Sequence, residues 1–69
     1  MNDFIEVIDS ENQCLVLVPV GRILSISYYD ENSTFIEIFV GIDNKSIGVI
    51  TKETYSEIKE KLNKLGKIL

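Results

Sequence analysis

The chain has 69 residues, of which 45% are hydrophobic, and its formal net charge is −4. This length supports one domain, residues 1–69, with a thin core, because a chain so short buries only about 60% of its unfolded surface. The apolar content excludes a disordered chain, and the acidic balance disfavours nucleic-acid binding, which needs a basic face.

Five short strands are predicted, at about 3–9, 14–18, 23–29, 34–42 and 46–50. The first is rich in β-branched and aromatic residues, and the second is an apolar run that stops at Pro19, which cannot donate to a strand ladder. The third and fourth alternate apolar with other residues, as strands do, and polar turns separate them. The fifth follows a turn at 43–45, and Gly41 is a candidate for a bulge.

A helix is predicted at about 52–65, where the apolar spacing changes to three and four residues, at Tyr55, Ile58, Leu62 and Leu65. Thr51 or Thr54 is a candidate N-cap, and Thr54 with Glu57 has the spacing of a capping box. Gly66 suits the left-handed conformation that ends many helices. The predicted class is therefore α+β, an antiparallel meander of four to five strands with one amphipathic C-terminal helix on one sheet face.

One helix covers about one face of such a sheet. The covered face is expected to hold Leu15, Leu17, Leu24, Ile26, Ile36, Ile38, Val40, Ile47 and Val49. The opposite face would then be unusually apolar for a sheet open to water, with Phe4, Ile8, Val16, Val18, Tyr29, Phe35 and Phe39.

Large exposed apolar patches normally mark interfaces. We therefore predict self-association or binding of another protein, through this face or the strand edge beside it, with candidate residues Phe4, Val16, Val18, Tyr29, Phe35 and Phe39. Two alternatives are that the assumed register is off by one residue, and that the second and third strands curl into a partial barrel which buries both faces.

Catalytic and metal chemistry have little support. The chain has no histidine, which removes the commonest general base and zinc ligand, and the single Cys14 allows no internal disulfide. We expect no enzyme activity, no metal and no cofactor. A lone cysteine suits the reducing cytoplasm, and the longest apolar stretch is far below the roughly 20 residues that span a bilayer.

Arg22 is the single arginine, in an otherwise acidic stretch, and its guanidinium is suited to a carboxylate or phosphate. Its plainer interpretation is a surface ion pair. Tyr28 or Tyr29 is a candidate to stack on a ligand, although adjacent residues on a strand face opposite ways. These three residues define an alternative function, the binding or sequestering of a small, nucleotide-like anion in pockets between subunits.

The order of features from Phe4 to Leu62 resembles the small FlbD/SwrD family, which is associated with flagella and swarming motility. The same layout occurs in short uncharacterised proteins of bacteria and phages. The resemblance rests on the first strand, the run ending at 18–20 (VPV), the strand beginning at 23–26 (ILSI), a hairpin, and the segment 49–58 (VITKETYSEI) that enters the helix. It implies a strand-rich module without catalytic residues and transfers no site residue. The chain departs from the family in a longer fourth strand and hairpin, 35–45.

The leading prediction is thus a cytoplasmic, non-enzymatic protein-interaction module that forms homo-oligomers. A phage-type inhibitor or adaptor would use the same kind of apolar sheet face or edge on another protein.

Overall fold

The computed structural model describes residues 3–41 and 43–66, which form five antiparallel strands and one C-terminal helix and confirm the α+β class. The elements are β1 (Phe4–Asp9), β2 (Cys14–Pro19), a 3₁₀ turn (Val20–Arg22), β3 (Ile23–Asp30), β4 (Ser33–Phe39), β5 (Ser46–Thr51) and α1 (Tyr55–Lys64). β4 ends three residues before the predicted strand does, and residue 42 of that prediction lies outside the described residues.

The strands form a single sheet in the order β2-β1-β5-β4-β3, so β2 and β3 are neighbours in the chain but occupy opposite edges. In a flat sheet these edges would be about 19 Å apart. Only the turn Val20–Arg22 joins them, and a link of that length reaches at most about 14 Å. The sheet is therefore curved, which gives it a concave inner face and a convex outer face.

The core lies on the inner face and is closed by α1. Its buried members are Ile5, Val7, Val18, Ile36, Ile38, Ile58 and Leu62, with Val16, Val20, Ile23, Ile26 and Val49 packed against them. Two residues of the predicted helix stripe, Ile58 and Leu62, provide the buried contact of α1, while Tyr55 is half-buried and Leu65 lies at the surface.

The predicted facing of β2 was wrong. Leu15 and Leu17 are 63% and 62% exposed, whereas Val18 is fully buried. The reason is the pairing with β1, which places Val18 opposite Ile5 and Val16 opposite Val7, on the inner face.

Two further residues expected under the helix are exposed. Leu24 lies at a register shift between Ile23 and Ser25, and this irregularity takes it out of the inner row. Ile47 pairs with Ile38 at the start of β5, where β1 does not cover it, since β1 pairs with β5 through Asp9 and Thr51 alone.

The joint between β1 and β5 is correspondingly short. The Asp9–Thr51 pair is flanked by the two hydrogen bonds that form it, from the Ser10 amide to the Ile50 carbonyl and from the Lys52 amide to the Ile8 carbonyl. Beyond this point the chain leaves the sheet and continues into α1.

Two buried threonines fix the chain where β5 passes into the helix. The Thr34 and Thr51 hydroxyls both donate to the backbone carbonyl of Glu53, over 2.8 and 3.2 Å. Buried hydroxyls without such partners would destabilise the fold.

The predicted capping box at the start of α1 is confirmed. The Thr54 hydroxyl accepts from the Glu57 amide, and the Glu57 carboxylate accepts from the Thr54 amide. Thr54 is the N-cap, and the alternative, Thr51, belongs to β5. At the other end Gly66 has the expected positive φ, and its amide donates to the Asn63 carbonyl.

Candidate functional site

The convex side of the β1–β2 hairpin carries a cluster of exposed, large apolar side chains. We call it the hairpin face and define it by the exposed side chains of Phe4, Ile8, Leu15 and Leu17. Ile8 lies opposite Leu15, and the Glu6–Leu17 and Phe4–Pro19 pairs follow on the same side. Because every second residue of a strand points the same way, these side chains share one surface.

The turn between β1 and β2 holds the hairpin in this register. The Asp9 carboxylate accepts from the Glu11 amide and the Asn12 side chain, and Gln13 adopts a left-handed conformation. These hydrogen bonds hold the pKa of Asp9 below its ordinary value of 3.8, and the bond from the Asn12 side chain has the largest effect. The ionised carboxylate is therefore the form that stabilises the turn.

The hairpin face ends at an open strand edge. β2 is the outermost strand on this side of the sheet, so no strand within residues 3–41 and 43–66 pairs with its outward backbone groups. Cys14 begins this strand and is exposed. An edge of this kind is a ready site for pairing with another chain.

On its other side the hairpin face borders a groove between β1 and α1. The groove has a volume of about 300 Å³ and is lined by Phe4, Ile5, Glu6, Lys61, Lys64 and Leu65. It exists because β5 stops beside the end of β1 and the helix lies beside the remainder. The ammonium of Lys61 bridges the two walls by donating to the Glu6 backbone carbonyl and pairing with the Glu53 carboxylate.

The convex side of β3–β4–β5 is a second surface, with a more polar centre. Glu37 accepts from the hydroxyls of Ser25 and Ser46, over 3.3 and 2.9 Å, and so links three strands. Phe35 and Phe39, predicted as interface residues, flank Glu37 and are half-buried. Its two phenylalanines are therefore less exposed than the side chains that define the hairpin face.

The other four predicted interface residues differ in their exposure to solvent. Phe4 and Tyr29 are exposed, while Val16 and Val18 point into the core. Val18 in particular is fully buried and cannot touch a partner, which corrects the prediction for β2. Leu15 and Leu17, which were predicted to lie under the helix, are exposed instead.

Arg22 and the tyrosine pair are not brought together within one chain. Arg22 precedes β3, whereas Tyr28 and Tyr29 lie near its far end, roughly 20 Å away at the rise of an extended strand. The Arg22 guanidinium packs against Gly41, where an added Cβ would lie 2.9 Å from Nη1. Both tyrosines are exposed, Tyr28 by 64%.

Residues 3–41 and 43–66 contain no group of three or more histidine, cysteine or acidic side chains placed to hold a metal ion. Within the same ranges, no helix combines the length and the apolar character that crossing a membrane requires.

The chain was also compared with protein-family models, curated proteins and solved structures. None of them matches it. The resemblance to the FlbD/SwrD family therefore stays a prediction.

Proposed function

We propose that this chain is a non-enzymatic protein-interaction module that associates with a second copy of itself through the hairpin face. The observation that supports it is the cluster of four large apolar side chains, Phe4, Ile8, Leu15 and Leu17, on one convex surface beside an open strand edge. Monomeric proteins seldom leave such a cluster uncovered.

The energies set the strength of association to expect. Burying a half-exposed side chain of this size gains roughly 1 kcal/mol, so eight of them in a pair of copies gain roughly 8 kcal/mol. Loss of translational and rotational freedom costs about 4 to 15 kcal/mol. Apolar burial alone thus supports a weak, concentration-dependent dimer, and strand-edge pairing or ion pairs must add to it for tight binding.

The proposal includes a cytoplasmic setting, which the single, exposed Cys14 supports, because an exposed thiol persists best in a reducing compartment. An inhibitor or adaptor role on another protein would use the same face. The absence of histidine from the sequence supports a binding role over catalysis.

The test is the molar mass in solution, measured by sedimentation or light scattering over a wide range of concentrations. Cys14→Ser is the background, so that no disulfide imitates an interface. We expect the mass to rise with concentration, and Leu17→Ser to shift the association to higher concentration by about tenfold or more. A chain that stays monomeric throughout contradicts self-association.

Tyr28→Ser is the matched control. Tyr28 is also a large side chain and is 64% exposed, against 62% for Leu17, but it lies near the far end of β3, roughly 20 Å along the strand from the turn that joins β2 to β3. We expect it to leave the association unchanged. An equal effect of the two substitutions would contradict the assignment to the hairpin face.

The second candidate function is the binding of a small, nucleotide-like anion. Its support is that the exposed Arg22 guanidinium has no hydrogen bond or ion pair with residues 3–41 or 43–66. Because Arg22 and Tyr28 lie far apart within a single chain, the pocket would have to form between subunits. A thermal-shift screen against nucleotides tests it, with Arg22→Ala as the control, and the absence of any shift contradicts it.

A further inference from the structure

We propose that the groove between β1 and α1 orients the second copy, in a two-fold arrangement where Glu6 of each copy faces Lys64 of the other. This inference rests on the self-association proposed above. It adds the geometry of the contact and the residues that select a second copy as the occupant of the groove.

The charge distribution of the chain supports a second copy of the chain as the occupant of the groove. Residues 1–43 carry eight acidic residues against the single base Arg22, whereas lysines gather on the helix. The groove lies where these regions meet, with Glu6 on the strand wall and Lys64 on the helix wall. A surface that carries both signs side by side is complementary to its own copy turned by a two-fold axis.

Hydrogen bonds and ion pairs among the described residues show which charged groups of the groove are already engaged. Lys61 is engaged by Glu53 and by the Glu6 carbonyl, so it is not available to a partner. The Glu6 carboxylate and the Lys64 ammonium have no hydrogen bond or ion pair to residues 3–41 or 43–66. They line one groove without pairing, and pairing between copies would satisfy both.

The apolar walls supply the remaining contact. Phe4 and Leu65 are both exposed and lie on opposite sides of the groove. Phe4 also belongs to the hairpin face, so the groove and that face form one continuous surface. A two-fold contact centred here closes after two copies, whereas a head-to-tail contact would continue into a filament.

The test uses charge reversal in the full chain. In Glu6→Lys alone, each lysine at position 6 would meet Lys64 of the other copy. In Lys64→Glu alone, two glutamates would meet. We expect each variant alone to dimerise at least about tenfold more weakly than the wild type.

An equimolar mixture of the two variants is the decisive measurement. Each mixed pair would again contain two opposite-charge contacts, so the mixture should recover a dissociation constant within about threefold of the wild type. This recovery should weaken as salt is added. An anionic ligand held by Lys64, or a different protein as partner, would give no recovery on mixing.

The matched control pair is Glu31→Lys and Lys45→Glu. Both residues are exposed, in the turns before β4 and β5, and neither lines the groove. These variants, alone or mixed, should associate like the wild type. Circular dichroism establishes that each variant is folded.

The outcomes separate the two proposals. A wild type that is monomeric at every concentration overturns self-association itself. A wild type that dimerises and is weakened by Leu17→Ser, but whose charge variants associate normally or fail to recover on mixing, overturns only the two-fold groove contact.

Discussion

The ring of Phe35 lies directly on the backbone of Gly48, its diagonal neighbour across β4 and β5. A Cβ added to Gly48 would be 2.5 Å from both Cε1 and Cζ of that ring, closer than real Cβ atoms come. The missing side chain thus lets the ring lie flat on β5 and remain half-buried on the convex side. Phe35 was predicted to be a free interface residue, and this contact explains why much of it is covered.

Gly48→Ala is expected to destabilise the fold by about 1 to 2 kcal/mol, because the methyl group displaces the ring. Alanine is intrinsically better than glycine in a strand by roughly 0.5 to 1 kcal/mol, so a net loss requires the clash to exceed that gain. The free energy of unfolding in denaturant measures the change. The Phe35→Leu background should remove most of the loss, and an equal loss in both backgrounds would contradict the contact.

Val18→Ala and Leu17→Ala test the facing of β2. Val18 is fully buried, so its truncation should cost about 2 to 3 kcal/mol in the free energy of unfolding, through lost burial and the cavity left behind. Leu17 is exposed in the monomer, so its truncation should cost within about 0.5 kcal/mol at low concentration. The reverse order of the two effects would show that the strand faces the other way.

Thr54→Ala tests the capping box of α1. Loss of the hydroxyl leaves the Glu57 amide without its acceptor, which should cost about 1 kcal/mol of stability. Ser56→Ala, in the exposed first turn of the same helix, is the control and should change stability by less than about 0.5 kcal/mol. Equal effects at the two positions would indicate that the cap does not contribute.

The same cap predicts a pH dependence. The hydrogen bond from the Thr54 amide, with a smaller contribution from its side chain, holds the pKa of Glu57 below its ordinary value of 4.5. The stabilisation is therefore fully present above that value and is lost as the pH falls through the lower, folded value.

Between about pH 5 and pH 3, the free energy of unfolding of Glu57→Gln should consequently fall less than that of the wild type. Denaturant titrations at several pH values measure this difference. Asp9, whose pKa is lowered in the hairpin turn, contributes a second part of the acid sensitivity with the same sign, so Asp9→Asn should flatten the profile in the same way. Unchanged profiles in both variants would contradict the assignment.

The helix was predictable from sequence because its signals agree with one another. The apolar spacing, the Thr54–Glu57 pair and Gly66 all indicate the same element, and each depends on neighbours within a few residues. The alternation in β4 was likewise sufficient to place Ile36 and Ile38 in the core.

The facing of β2 was not predictable in this way. All five residues of 14–18 (CLVLV) are apolar, so a period of two selects neither face. The choice is made by the pairing with β1, a contact between strands that local spacing does not encode. Because a shift of one residue exchanges the faces, this one ambiguity moved the predicted interface from Leu15 and Leu17 to Val16 and Val18.

The strand order also depends on distant contacts. That β1 pairs with β5 follows from contacts between residues some forty positions apart, of which Asp9 with Thr51 is the central pair. The distance between Arg22 and the tyrosines follows from the length of β3 alone, and that length was predicted approximately from the sequence. A joint site within one chain could therefore have been excluded from the predicted strand alone.

The short joint between β1 and β5 has a consequence for how the chain folds. The β1–β2 hairpin and the β3–β4–β5 strands each form from nearby segments, which meet quickly because little chain entropy is lost. Their union requires Asp9 to meet Thr51 across most of the chain, and it has few hydrogen bonds of its own. We therefore expect the docking of the hairpin, together with α1, to be the late and slow step, so that a newly made chain passes through a stage with its hairpin formed but not yet joined.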